Sequence, residues 1–386
     1  MGNAAPPIAP APAEAPSTAA DRLGRIAATG LRGARPLRVE TPLAEPEWSA
    51  LLAAAVDERV VGHLRAAIDG GAVAVTDEQR RAVTAAHERL LAIDLVLERL
   101  LGGVTTALRD VGIEHRVLKG PVLAHTVYAD PARRSFSDVD LLVPGEQFDD
   151  AVDALVGAGG RRKFDEPRPG FTRRFGKGVA ITIGALDVDL HRTLAPGPFG
   201  LAVDTAELFA ARDPLVARIG GHEIVGLSVI HAFVHACLHA ALGDRIPRLV
   251  PLRDVAELAQ RRKPGALDLD AVLATAARWR CRAVVQRAVR LARHALVVDD
   301  LGPIAAWAGE YRPDRFERAG LRAYVAADRS YALQAAAGVR AVRGVRNRAA
   351  YVRAMVVPSG DYLAARDGRY ARRMRRALGL GGRTLR

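Results

Sequence analysis

The sequence predicts an α+β protein, with a small mixed sheet flanked by helical N- and C-terminal regions. Three observations predict it. Apolar residues repeat at helical spacing through residues 45–110 and again beyond residue 198. Between these regions, short apolar runs separated by Gly and Pro turns read as strand, helix, strand, helix, strand over about 80 residues. The chain has 386 residues, 49% hydrophobic and 26% charged, enough to bury substantial cores without disulfides.

Taken in order, residues 1–36 form an Ala- and Pro-rich lead, expected to be disordered and lacking the basic start of a secretory signal. The N-terminal helical region covers 37–112. One helix is expected over 45–68, with Trp48, Leu51, Leu52 and Ala55 on one side and Gly70-Gly71 ending it. Thr76 and Gln79 predict a capping box that opens a second helix, running to about Asp110. The core covers 113–198. Its first strand lies at 114–118, Lys119-Gly120-Pro121 is a turn, and Pro121 opens a helix. A strand follows at 138–143, a helix at 147–158, an Arg-, Pro- and Gly-rich loop, and then one long strand or two paired ones at 179–194. The remainder divides into a helical region, 199–300, and a basic helical region, 301–386. Helices are expected near 204–211, 228–242, 249–261 and 269–295. The most apolar long run, 224–242, carries three histidines, which fits a buried helix and not a bilayer span.

The net charge of +13 is unevenly placed. Residues 338–386 carry 13 Arg against Asp361 and Asp367, which is +11, leaving about +2 elsewhere. Such a tail suits RNA or another polyanion, and equally a solvated helical surface. Cys237 and Cys281 are too few for a disulfide framework and are expected as small core residues in a cytoplasmic protein.

The chemistry-bearing residues cluster in the core. Asp138 and Asp140 lie two apart in an apolar strand and face one side of it. Two adjacent buried carboxylates repel, and a divalent cation such as Mg²⁺ removes the conflict. Asp187, Asp189 and His191 alternate in the same way about fifty residues later. Paired beside the first strand, they bring three or four carboxylates together, an arrangement suited to two-metal phosphoryl or nucleotidyl transfer. Lys119-Gly120, between a strand and a helix, offers backbone approach and charge to a phosphate. Arg134 is placed to contact a triphosphate or to pair with the carboxylates. No P-loop and no nucleophile elbow is present.

The stretch 117–194 resembles the nucleotidyltransferases of the polymerase-β superfamily. It is most similar to an uncharacterised bacterial nucleotidyltransferase family. The residues that carry the resemblance are Leu118-Lys119-Gly120, Arg134, Asp138-Val139-Asp140-Leu141-Leu142-Val143 and Asp189-Leu190-His191. Weaker likeness extends to His235, His239, Leu249, Asp254 and Pro358-Ser359-Gly360-Asp361-Tyr362. The resemblance implies a polymerase-β-like core in which Asp138, Asp140 and Asp189, in preference to Asp187, hold Mg²⁺ or Mn²⁺. It further implies that Lys119, Gly120, Arg134 and His191 bind the nucleoside triphosphate. The chain departs from the superfamily in lacking a Gly-Ser pair shortly before Asp138. The expected reaction moves a nucleoside monophosphate from a triphosphate to an acceptor, an RNA such as tRNA or a small molecule or peptide. The alternative is an inactive nucleotide- or nucleic-acid-binding protein of the same fold.

His231, His235 and His239 form a helical stripe, read as lining the cleft in preference to binding a metal. Asp254 is expected to form a buried ion pair with Arg253 or Arg248. The loop 161–177 interleaves basic residues with Phe164, Phe171 and Phe175, which suits phosphate and base binding near the sheet.

Overall fold

A computed structural model describes residues 19–35, 37–261, 267–326, 331–359 and 362. Most of the lead at 1–36 and much of the basic tail beyond residue 359 lie outside the described residues, as do Gly360 and Asp361 of the Pro358–Tyr362 motif.

Four helices precede the sheet: α1 (Ala19–Ala27), α2 (Glu45–Asp57), α3 (Val61–Asp69) and α4 (Asp77–Asp110). The capping box forms as expected, with Gln79 N donating to Thr76 Oγ1 and Thr76 N to Gln79 Oε1, each at 3.2 Å. The single helix expected over 45–68 is two. Val60 N bonds to Ala55 O and Arg59 N to Val56 O, a helix ending whose turn residue, Arg59, has φ 56°. Glycine usually takes that position, so an arginine there left no break visible in the sequence. The helix expected over 269–295 divides in the same way at Arg280, φ 52°.

Strand β1 (Arg116–Val117) is followed by α5 (Pro121–Thr126), β2 (Val139–Leu142), α6 (Phe148–Gly157), β3 (Gly160–Arg162), α7 (Phe171–Phe175), β4 (Gly178–Ile183) and β5 (Leu186–His191). The segment 179–194 is therefore two paired strands, and the loop 161–177 contains both a short edge strand and a helix. Helices α8 (Gly197–Leu201) and α9 (Thr205–Ala210) lead to β6 (Pro214–Ile219) and β7 (His222–Ser228). This hairpin stands where the sequence was read as helical. Its signal was present: Gly220-Gly221, both at positive φ, is the two-residue turn that matches strand twist. The sheet thus runs past residue 198, in the order β3-β4-β5-β2-β1-β7-β6.

Beyond it come α10 (Val229–Leu242), α11 (Leu249–Ala259), α12 (Leu269–Arg278), α13 (Arg282–Ala295), α14 (Pro303–Glu310), α15 (Arg315–Val325), α16 (Tyr331–Ala341) and α17 (Val345–Val356). Helix α10 is buried nearly all round and packs on α11, α13 and β7. Cys237 and Cys281 are free and buried, as expected of core residues. A smaller cluster, Phe175, Val342 and Tyr351, joins α7 to the C-terminal helices. Among the described residues no helix is long and apolar enough to cross a membrane.

One buried ion pair ties the loop before β2 to α11. Arg134 Nε and Nη2 donate to the two oxygens of Asp254 at 3.1 and 2.7 Å, and Tyr128 Oη donates to Asp254 Oδ1 at 2.8 Å. A buried ion pair at Asp254 was expected, but the partner is Arg134. Arg253 pairs instead with Glu257, and Arg248 with Asp57 and Glu58. Both partners of the Arg134–Asp254 pair are almost fully buried, so removing one strands the other's charge in the interior. Asp254→Ala is expected to lower unfolding free energy by about 3–5 kcal/mol in denaturant titrations.

Candidate active site

The site is set by strand register. Strands β2 and β5 pair in parallel, with Asp140 opposite Asp189 and Leu142 opposite His191. The alternate residues Val139, Leu141, Val188 and Leu190 face the other side and are fully buried. The core therefore holds these strands in a register that places two carboxylates on adjacent strands, about 4.8 Å apart in the sheet. Asp138, at the mouth of β2, extends the group.

The like charges are offset by bonding. Lys119 Nζ lies 2.8 Å from Asp140 Oδ2 and 3.5 Å from Asp138 Oδ2. His191 Nε2 bonds to Asp140 Oδ1 at 2.9 Å. Burial pushes the Asp140 carboxyl up, but the Lys119 ammonium and the His191 bond outweigh it and hold Asp140 well below the ordinary range. Among the described residues Asp189 has no such hydrogen-bonded partner. Burial raises it, the neighbouring Asp140 and Asp138 add to the rise, and His191 opposes them. Burial also lowers His191. The register therefore gives the neighbouring acids opposite leanings, Asp140 ionised and Asp189 the more basic. Asp187 is apart from the group. Lys163 Nζ meets it at 2.5 Å near the surface, and Thr182 Oγ1 at 2.9 Å.

Asp140, Asp189 and His191 each offer a ligand atom, and these atoms lie within 4.8 Å of one another. Nδ1 of His191 is buried without a hydrogen-bond partner. Two carboxylate oxygens and an imidazole, with Asp138 reached through Lys119, suit a hard divalent cation.

An open cleft of about 300 Å³ leads to this group. Its lining includes Lys119, Gly120, Asp138 and His239 together with Arg59, Glu58, Asp244 and Arg248. Asp140 and His191 lie deeper, each only 2% exposed.

Residues 44–296 match a family described as uncharacterised nucleotidyltransferase. The chain belongs to that family. A solved structure, the solution structure of the antibiotic-resistance factor ANT(2'')-Ia, is similar at 16% identity, covering 53% of this chain and 92% of that chain, with a TM-score of 0.28. No curated protein matches.

In this nucleotidyltransferase, Arg134 is held by Asp254 and donates to Ser135 O at 2.9 Å. It is among the residues that line the cleft, but its charge is already matched by Asp254. Gly120 sits at φ 57°, ψ −117°, a conformation that favours glycine, and a Cβ there would stand 3.4 Å from Phe136 Cβ. The helix after it has six residues and begins with Pro121, which has no N–H to offer.

The histidine stripe divides. His231 bonds Glu207 at 3.5 Å and stacks on Trp279, away from the acids. His235 and His239 point toward them. Burial drives His235 down to about 3, with His191 and Lys177 adding to the fall. Burial likewise lowers His239, with Lys119 the next cause. Both are neutral groups beside the carboxylates.

Two residues went unrecognised in the sequence. Lys177, at the start of β4, is pulled down by burial and feels Asp140, Asp189 and Asp138. In sequence it is one of seven basic residues in 161–177, and nothing sets it apart. Asp94, buried in the middle of α4, accepts the Phe136 N–H at 2.9 Å and so pins the loop before Asp138. It interrupts an apolar face, a signal that was readable.

Burial raises Asp94 to about 6, against an ordinary carboxylate near 3.9. The folded state thus binds the proton more tightly than the unfolded chain, so this group favours folding at low pH and its contribution falls away as pH rises from about 4 to 6. Asp94→Asn keeps the Oδ1 acceptor. It is expected to raise stability at pH 7 by up to about 3 kcal/mol, with no gain at pH 3.5. Unfolding curves across that range check it.

Proposed function

We propose that the protein is a metal-dependent nucleotidyltransferase of polymerase-β type that moves a nucleoside monophosphate from a triphosphate to a hydroxyl-bearing acceptor. The observation that carries this is the pairing of Asp140 with Asp189 across parallel strands, joined through Lys119 to Asp138 at the mouth of a cleft. Membership of a nucleotidyltransferase family supports the same reading.

Asp138, Asp140 and Asp189 are the proposed ligands of Mg²⁺ or Mn²⁺. Bound there, the ions would neutralise the triphosphate and polarise the reacting oxygens. His191 orients Asp140 through its Nε2 bond. Lys119 now matches the charge of Asp138 and Asp140; with a cation in its place, its ammonium is free to meet the phosphates lying against Gly120. In the transfer the acceptor oxygen attacks the α-phosphorus, a new P–O bond forms, and the bond to the pyrophosphate oxygen breaks. Asp189, whose raised proton affinity follows from burial beside two carboxylates, takes the acceptor's proton. His235, neutral and buried, limits water on the helix side, and His239, half-buried, lines the cleft.

Asp138→Asn and Asp140→Asn are each expected to reduce pyrophosphate release from ribonucleoside triphosphates to background while circular dichroism shows an unchanged fold. His191→Gln, which removes the imidazole bonded to Asp140, is expected to reduce it about 10–100-fold. Full activity in both aspartate variants would refute the assignment.

For the acceptor we propose an RNA end held by the basic C-terminal region. Arg340, Arg343 and Arg346 are exposed there, on and between α16 and α17. Replacing all three by Glu is expected to raise KM for RNA several-fold at low salt and to leave a small acceptor unaffected. Unchanged RNA kinetics would point to a small acceptor.

A further inference from the structure

We propose that Arg59 is the residue with which the N-terminal helical region grips the triphosphate tail of the nucleotide. The proposal rests on the transferase reading above and adds to it a binding residue that no catalytic motif contains.

Three observations carry it. First, the side chain lines the cleft together with Lys119, Gly120 and Asp138. Second, its charge is unmatched. Among the described residues the guanidinium makes no ion pair and no hydrogen bond, although Asp138 and Asp94 attract it and Arg134 and Arg248 repel it. Its neighbour in the cleft, Arg248, is by contrast already bonded to Asp57 and Glu58. Burial disfavours the charged form of Arg59. A half-buried arginine without an anion, facing a cleft, is a group awaiting one.

Third, the backbone that presents it is fixed. Arg59 occupies the left-handed position of the turn between α2 and α3. Glu58 Oε2 accepts the Leu249 N–H at 2.8 Å, and Arg248 Nε reaches Glu58 Oε1 at 3.4 Å, so the turn is locked to the start of α11. Arg280 and Val297 also adopt left-handed φ, so the conformation alone is not the signal. Arg59 differs from them in lining the cleft with its charge unmatched.

The anion that fits is a polyphosphate. A second, unmatched cation lining the same cleft as Lys119, Gly120 and Asp138 suits the β- and γ-phosphates of a triphosphate whose α-phosphate meets the proposed metal-binding carboxylates. A nucleoside monophosphate, whose single phosphate lies at the carboxylates, does not extend to it.

The left-handed backbone supplies a discriminating variant. Glycine is favoured at φ 56°, so Arg59→Gly removes the guanidinium while easing the turn. Calorimetric titration of wild type, Arg59→Gly and Arg59→Lys with each ribonucleoside triphosphate and monophosphate, in Mg²⁺ without acceptor, reads the outcome. The expected result is about a tenfold or greater loss of triphosphate affinity in Arg59→Gly. Monophosphate affinity should be unchanged, Tm equal or higher, and Arg59→Lys intermediate. Equal triphosphate affinity in wild type and Arg59→Gly would overturn the role of Arg59 and leave the transferase reading standing. Parallel loss of both ligands with a lowered Tm would make Arg59 structural and overturn the proposal. Failure of wild type to bind any triphosphate would overturn the transferase reading, and the role of Arg59 with it.

Discussion

Two carboxylates on adjacent strands of a buried sheet are the constraint around which this molecule is arranged. The register that places Asp140 beside Asp189 is enforced from the opposite face, where Val139, Leu141, Val188 and Leu190 are fully buried. A slip of one residue would turn the carboxylates into that core and the aliphatic residues out of it. Once the register is fixed, charge must be brought to the acids. The chain does so with Lys119 from the β1–α5 turn, His191 from the next position on β5, and Lys177 at the start of β4. Lys119 arrives level with the start of β2, and His191 and Lys177 arrive level with its end, so the acids are met from both ends of the central strands.

The helical regions are organised toward the same point. Helix α4 sends Asp94 to the Phe136 amide, α11 sends Asp254 to Arg134, and α10 lays His235 and His239 against the acids. The short loop 134–138 is thus held from two helices before it delivers Asp138. The β6–β7 hairpin extends the sheet beside β1, so the parallel β1–β7 contact brings the start of α10 toward the strands that carry the carboxylates. The N-terminal helices are part of this arrangement and not an independent unit, because the break between α2 and α3 is anchored on α11.

Much of this was legible in the sequence. The apolar run around Asp138-Val139-Asp140 and the alternation at Asp187–His191 announced the strands and the shared face, and Thr76 and Gln79 announced the long helix. What sequence spacing alone does not decide is which acid of Asp187 and Asp189 joins the site; the register and the Lys163 contact separate them. Partners of buried charges were also poorly legible. Arg134 was read as a phosphate or carboxylate contact, yet it spends its guanidinium on Asp254, 120 residues away. Such a pairing depends on helix packing, which local pattern does not encode. The breaks at Arg59 and Arg280 were invisible because the residue expected at such turns is glycine. The β6–β7 hairpin was readable from Gly220-Gly221 and was masked by the helical texture around it.

The central claim is that Asp138, Asp140 and Asp189 form a cation site beside Lys119. Its most direct test is a crystal structure with Mn²⁺, located by anomalous scattering. The account predicts manganese bound by Asp138, Asp140 and Asp189, with the Lys119 ammonium withdrawn from Asp140. Manganese bound elsewhere, or Lys119 still bridging Asp138 and Asp140 at saturating metal, would contradict it.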